Sequence, residues 1–166
     1  MIHTLLTRLL PMLLVSAALL AGPGKAGYDP EADPAADLAA AVQTAQKEGK
    51  RILLEVGGEW CSWCHLLEKF LDENSAIDQA LHDRYVVVKV NYSKENKNEA
   101  FLGQYPEIAG YPHIFVLDSD GKLLHSQNTA ELEEGKGYNA DAVMAFIRQW
   151  SGRTTDRAAS AKAAAE

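Results

Sequence analysis

Two cysteines occur in the 166 residues, Cys61 and Cys64, separated by Ser62 and Trp63 in a Cys-x-x-Cys unit. This spacing suits reversible chemistry better than stapling. Closing so small a ring stabilises a fold by only about 2 kcal/mol, less than a wider loop supplies. A thiol must ionise before it can attack a disulfide. The start of a helix favours the anion, because unpaired backbone N–H groups and the positive end of the helix dipole meet there. At such a position Cys61 is the attacking sulfur. Cys64, one turn further on, faces inward and can reach back to resolve a mixed disulfide. Glu55 is the other anomaly, a carboxylate set inside the apolar run Ile52-Leu53-Leu54-Glu55-Val56, where burial would raise its pKa.

The elements that must position these residues follow from the pattern around them. Residues 52–56 read as a buried strand ending at Gly57-Gly58, and the cysteine motif follows directly. Leu66, Leu67, Phe70 and Leu71 then recur at helical spacing, so Cys61 opens a helix. Before the strand, Leu38, Val42 and Ala45 predict a helix over 35–48 that stops at Gly49. After the motif we expect a helix over 75–83, a β-branched strand over 85–91 and a polar helix over 94–105. A hairpin follows, with 113–117 and 122–125 joined through Asp118-Ser119-Asp120-Gly121. Asn139 caps a last helix running to Trp150, with Val143, Phe146 and Ile147 on its apolar face. This order implies an α/β fold with a central mixed β-sheet flanked by helices on both faces.

Residues 1–26 read as a secretory signal peptide: Arg8 is the one charge ahead of the apolar run Leu9 to Leu20, which is too short to span a bilayer. No cysteine follows Leu19-Leu20-Ala21-Gly22, so lipid has no acceptor there. We expect no stable membrane insertion after cleavage, and a periplasmic or secreted location. Residues 27–34 suit a linker, 35–151 one domain, and the Ala-rich 152–166 a frayed or disordered tail. The chain carries 16 basic and 23 acidic side chains; without Arg8 and Lys25 the balance is 14 to 23. That acidity argues against nucleic acid as a partner.

The run from Glu55 to Cys64 resembles the active-site strand and motif of thioredoxin-like proteins. Ala109-Gly110-Tyr111-Pro112 likewise resembles the segment leading to that family's cis-proline. The resemblance extends over roughly 38–150, nearest to the exported disulfide-interchange type. It implies a thioredoxin-like fold, a cis bond before Pro112, and Glu55 beneath Cys64 as the group that shuttles its proton. It also implies that Lys89 can pair with Glu55, and that Trp60, Trp63, Tyr111 and Pro112 meet the substrate. The activity implied is thiol-disulfide exchange with protein substrates, with no dissociable cofactor and no metal. A reductase of this kind needs a membrane or periplasmic thiol donor to recharge it. Trp63 departs from the pairs usual between such cysteines, and those residues help set the redox potential, so reductase, oxidase and isomerase are all compatible with the motif.

Three other readings use the same residues. Cys61-Ser62-Trp63-Cys64-His65 is a formal match to the pattern of covalent c-type haem attachment. Cys61 and Cys64 with His65 or His113 could ligate a metal, although no second ligand pair supports it. A non-catalytic binding module could use the acidic stretch 127–138 as a docking loop, for which a solvated loop is the plainer account.

Overall fold

The first strand, β1 (Arg51–Gly57), is buried along nearly its whole length, which explains why its apolar residues form a continuous run rather than an alternation. The structure, a computed structural model, describes residues 27–152. The expected signal peptide and the tail beyond Gly152 lie outside those residues. β1 lies parallel to β2 (Tyr85–Asn91), with Glu55 opposite Lys89, and antiparallel to β3 (His113–Leu117), with Val56 opposite His113. β4 (Leu123–Asn128) returns antiparallel to β3, giving the order β2-β1-β3-β4.

Each face of this sheet is covered. On one side α1 (Pro34–Glu48) sets Ala41 and Ala45 against Ile52, Leu54, Val88 and Phe115. On the other, α2 (Ser62–Glu73) and α3 (Ser75–His82) pack over Leu53, Ile114 and Val116 together with the last helix. Full burial of side chains such as Leu54, Phe115 and Ile147 contributes about 1.5–3 kcal/mol each before chain entropy is set against it. The result is the mixed sheet with helices on both faces that the element order implies, a thioredoxin-like α/β fold.

Three segments differ from the sequence reading. The polar helix expected over 94–105 contracts to α4 (Glu99–Leu102). Asparagine side chains satisfy the backbone ahead of it instead: Asn91 Nδ2 donates to Asn96 O at 2.8 Å and Asn98 Nδ2 to Asn91 O at 2.7 Å. Such local bonds compete with helical ones. The acidic stretch 127–138 is likewise no simple loop. It folds into a 3-10 turn (Thr129–Leu132) and a two-stranded ribbon, β5 (Glu133–Glu134) with β6 (Gly137–Tyr138), which bury Leu132 and Tyr138. From there Asn139 caps α5 (Ala140–Trp150), accepting the Ala142 N–H at 2.9 Å.

Residues 27–34, read as a linker, are tied to the domain at particular points, and Pro34 already belongs to α1. Tyr28 is buried, and Asn96 Nδ2 donates to Pro30 O at 2.9 Å. Asp33 ends this strap as the cap of α1, accepting Ala35 N–H at 2.9 Å.

Candidate active site

Cys61 stands at the cap position of α2 in extended conformation, and its sulfur accepts the Cys64 N–H at 3.1 Å. The two sulfurs are joined as a disulfide. Cys61 is therefore held where the helix start stabilises a thiolate once the bond opens. Both cysteines are buried, Cys64 more deeply.

The strand beneath them ends in two glycines that act through absence. A Cβ on Gly57 would stand 2.5 Å from Cys64 Sγ and 2.8 Å from Tyr28 Oη. Sulfur and phenol thus share the space above that glycine. A Cβ on Gly58 would stand 2.5 Å from Trp60 Nε1 and 2.8 Å from Tyr92 O, the two atoms that form a 2.6 Å hydrogen bond.

Glu55 is fully enclosed on the face of β1 that underlies α2. Burial pushes its carboxyl above the usual range, while the Lys89 charge and a hydrogen bond from Tyr28 pull the other way without cancelling it. The Tyr28 hydroxyl donates to Glu55 Oε1 at 2.5 Å. Burial and the neighbouring Glu55 charge hold the Tyr28 phenol far above its ordinary value, so it stays protonated. Lys89 lies beside Glu55 in register, but its direct partner is Glu68 Oε1 at 2.8 Å, and its ammonium sits 5.3 Å from the Tyr28 ring centroid. Burial alone would lower the Lys89 pKa; the carboxylates of Glu55 and Glu68 outweigh it and leave it raised.

Trp60 is the one large apolar side chain exposed among the described residues, at 57%. Its indole meets the edge of Tyr111 at 5.5 Å, and Tyr111 stacks on Tyr92 at 4.9 Å. Burial and the neighbouring Tyr92 push the Tyr111 phenol up to about 12. The Tyr111-Pro112 peptide is cis, and Thr129 Oγ1 donates to Pro112 O. Trp63 turns toward the ribbon, its ring 5.8 Å from that of Tyr138 and its carbonyl accepting the Tyr138 hydroxyl at 3.4 Å. It packs as much as it presents.

The two flanking histidines separate. His65 Nε2 lies 2.8 Å from Glu59 O at the surface. His113 is buried in β3, 2.8 Å from Ser126 Oγ, where burial and the nearby His125 lower its pKa. The Cys61 and Cys64 sulfurs are bonded to each other, and the His65 ring is engaged by the Glu59 carbonyl. Among the described residues no three His, Cys, Asp or Glu side chains converge as a metal site. Nor is any described helix long and apolar enough to cross a membrane.

Sequence reasoning missed Tyr28, Gly57 and Glu68. Tyr28 had one visible signal, being the lone aromatic of a Gly, Pro and Asp-rich stretch; Glu68 had another, lying four residues after Cys64 on the same helical face.

The profile of a family described as thioredoxin-like matches residues 33–119. The thiol:disulfide interchange protein DsbD of Salmonella paratyphi A is 30% identical over 78 residues, 47% of this chain and 14% of that protein. DsbD of Klebsiella pneumoniae is 26% identical over 106 residues, 64% of this chain and 17% of the relative. This chain thus spans less than a fifth of the length of those relatives. Among solved structures, a disulphide isomerase from Xylella fastidiosa superposes with a TM-score of 0.61 at 25% identity, over 74% of this chain and 94% of the other. The reduced C-terminal domain of Neisseria meningitidis DsbD gives 0.53 at 27% identity, over 72% and 97%.

Proposed function

Because the chain belongs to the thioredoxin-like family, with a Cys61–Cys64 pair of the thiol-disulfide interchange type, we propose that it is an exported thiol-disulfide oxidoreductase acting on protein substrates. The observation that carries this reading is Cys61 at the cap of α2, disulfide-bonded to a Cys64 that lies against a buried carboxylate strand.

In the reducing direction the Cys61 thiolate attacks a substrate disulfide, forming a mixed disulfide and releasing one substrate thiolate. Cys64 gives up its proton and attacks the Cys61 sulfur. The Cys61–Cys64 bond forms, the second substrate thiolate leaves, and the substrate has gained the two electrons the cysteine pair has lost. Glu55 receives the Cys64 proton, a task suited to a carboxyl whose pKa burial has raised. Trp60, Trp63, Tyr111 and Pro112 form the face on which the substrate lies, with the Tyr111 backbone pairing with its main chain. Run backwards, the same steps oxidise a dithiol. A thiol donor of the membrane or periplasm recharges the pair if it works as a reductant, and no dissociable cofactor takes part.

Replacing Cys61 with Ser abolishes exchange, and Cys64→Ser accumulates mixed disulfides that survive denaturing, non-reducing electrophoresis. Wild-type rates in both variants would refute the mechanism. The reduction potential assigns the direction: below about −250 mV for a reductant fed by a partner, above about −180 mV for an oxidant or isomerase.

A further inference from the structure

The strap that precedes α1 delivers one side chain to the heart of the site, and the exchange chemistry above does not use it. Tyr28 is 5% exposed, its hydroxyl donates to Glu55, and its ring packs with Cys61 and Cys64 in a cluster of its own. The strap is fixed at several points: Tyr28 N–H donates to Glu59 Oε1 at 3.0 Å, and Pro30 O accepts from Asn96. This is more anchoring than a linker needs.

We propose that Tyr28 is a positioning residue for the Cys64 half of the exchange: its hydroxyl aims the Glu55 carboxylate and favours its ionised form, the one that can accept the Cys64 proton. The role rests on the exchange reading of the preceding section. Glu55 has an enclosed carboxyl group and, of the hydrogen bonds the structure gives it, a single side-chain donor, Tyr28. Without that donor the charged form loses its partner and the carboxyl protonates at higher pH, too early to act as a base. The phenol also fills the space above Gly57 beside Cys64 Sγ, so it holds the carboxylate on the sulfur's side of the strand. The other charged or titratable groups facing this point are Lys89 of β2, Glu68 of α2, Glu59 of the preceding loop and Tyr138 of β6. Lys89 is already engaged by Glu68, which leaves the phenol as the group that acts on Glu55 by direct contact.

The test isolates the Cys64 step. Reduced full-length protein is mixed with dithiobisnitrobenzoate, and release of the second aromatic thiolate, which reports attack of Cys64 on the Cys61 mixed disulfide, is followed by stopped flow from acid to neutral pH. Tyr28→Phe, which keeps the ring, shifts the acidic limb of this step up by about one pH unit and slows it about tenfold on that limb. Combined with Glu55→Gln it adds nothing to the effect of Glu55→Gln alone. A Tyr28→Phe profile that superimposes on wild type, or effects that multiply in the double variant, overturns the role while leaving exchange standing. Wild-type protein that never releases the second thiolate overturns the exchange reading and this role with it. A measurement needing no variant is the ring-carbon NMR resonance of Tyr28 in wild-type protein, expected to follow Glu55 ionisation; a resonance indifferent to it overturns the proposal even if Tyr28→Phe fails to fold.

Discussion

Gly57 and Cys64 approach so closely that the strand cannot carry a side chain at that point: the missing Cβ would stand 2.5 Å from the sulfur. Gly57→Ala should therefore force Cys64 and Tyr28 aside. Overpacking of this kind costs about 1–3 kcal/mol, readable as a lowered urea midpoint, and the displaced sulfur should alter the reduction potential as well. An alanine variant matching wild type in both would show that the strand end yields freely.

The raised carboxyl of Glu55 makes stability depend on pH in a defined direction. Its folded pKa lies above the unfolded one, so its contribution is fully present below the unfolded carboxyl value and is lost as pH rises through the folded value. Glu55→Gln removes that loss while keeping an acceptor for Tyr28. The variant should be more stable than wild type at pH 8, by about 1–3 kcal/mol, with the difference shrinking toward pH 4. Parallel thermal unfolding across that range checks it, and a constant offset would contradict the assignment.

Trp60 should separate substrate contact from folding. As an exposed side chain it can be cut to Ala with a stability change within about 1 kcal/mol. The same change should raise KM for peptide disulfides several-fold while kcat changes less, since the reacting sulfurs are untouched. Equal losses in kcat and kcat/KM would instead place the indole in the chemical step.

Asn139→Ala removes the cap that starts α5. The expected cost is about 1 kcal/mol in chemical denaturation, with exchange activity kept, because α5 packs in the core cluster of Leu53, Ile114 and Val116, whereas Tyr111 packs against the cluster on the other face.

Much of this was legible in the sequence for physical reasons that hold locally. A continuous apolar run of that length fits a strand buried on both faces, and Cys61 directly after it had to open the next helix, as Leu66, Leu67 and Phe70 signalled. Asn139 announced its helix through the same capping chemistry the structure displays. The cis bond at Pro112 came from resemblance alone, since nothing in the residue types demands it. What was not legible depends on contacts between distant segments. Lys89 was read as able to pair with Glu55 and does lie beside it in register, but its direct bond goes to Glu68, while Glu55 accepts from Tyr28, 27 residues away in sequence. Asparagines 91 and 96 broke a helix that composition favoured, by bonding the Asn96 carbonyl and the Asn98 N–H, backbone groups the helix would have used. The acidic stretch after Gln127 looked solvated because of its glutamates, while Leu132 and Tyr138 among them turn in.

The strap held by Glu59 and Asn96 also sets a limit on how the chain can be shortened. A chain shortened past Tyr28 would lose the phenol beside Gly57 and leave the buried Glu55 without the donor it has here. The N-terminal strap is thereby part of the floor of the site and more than a lead-in to α1.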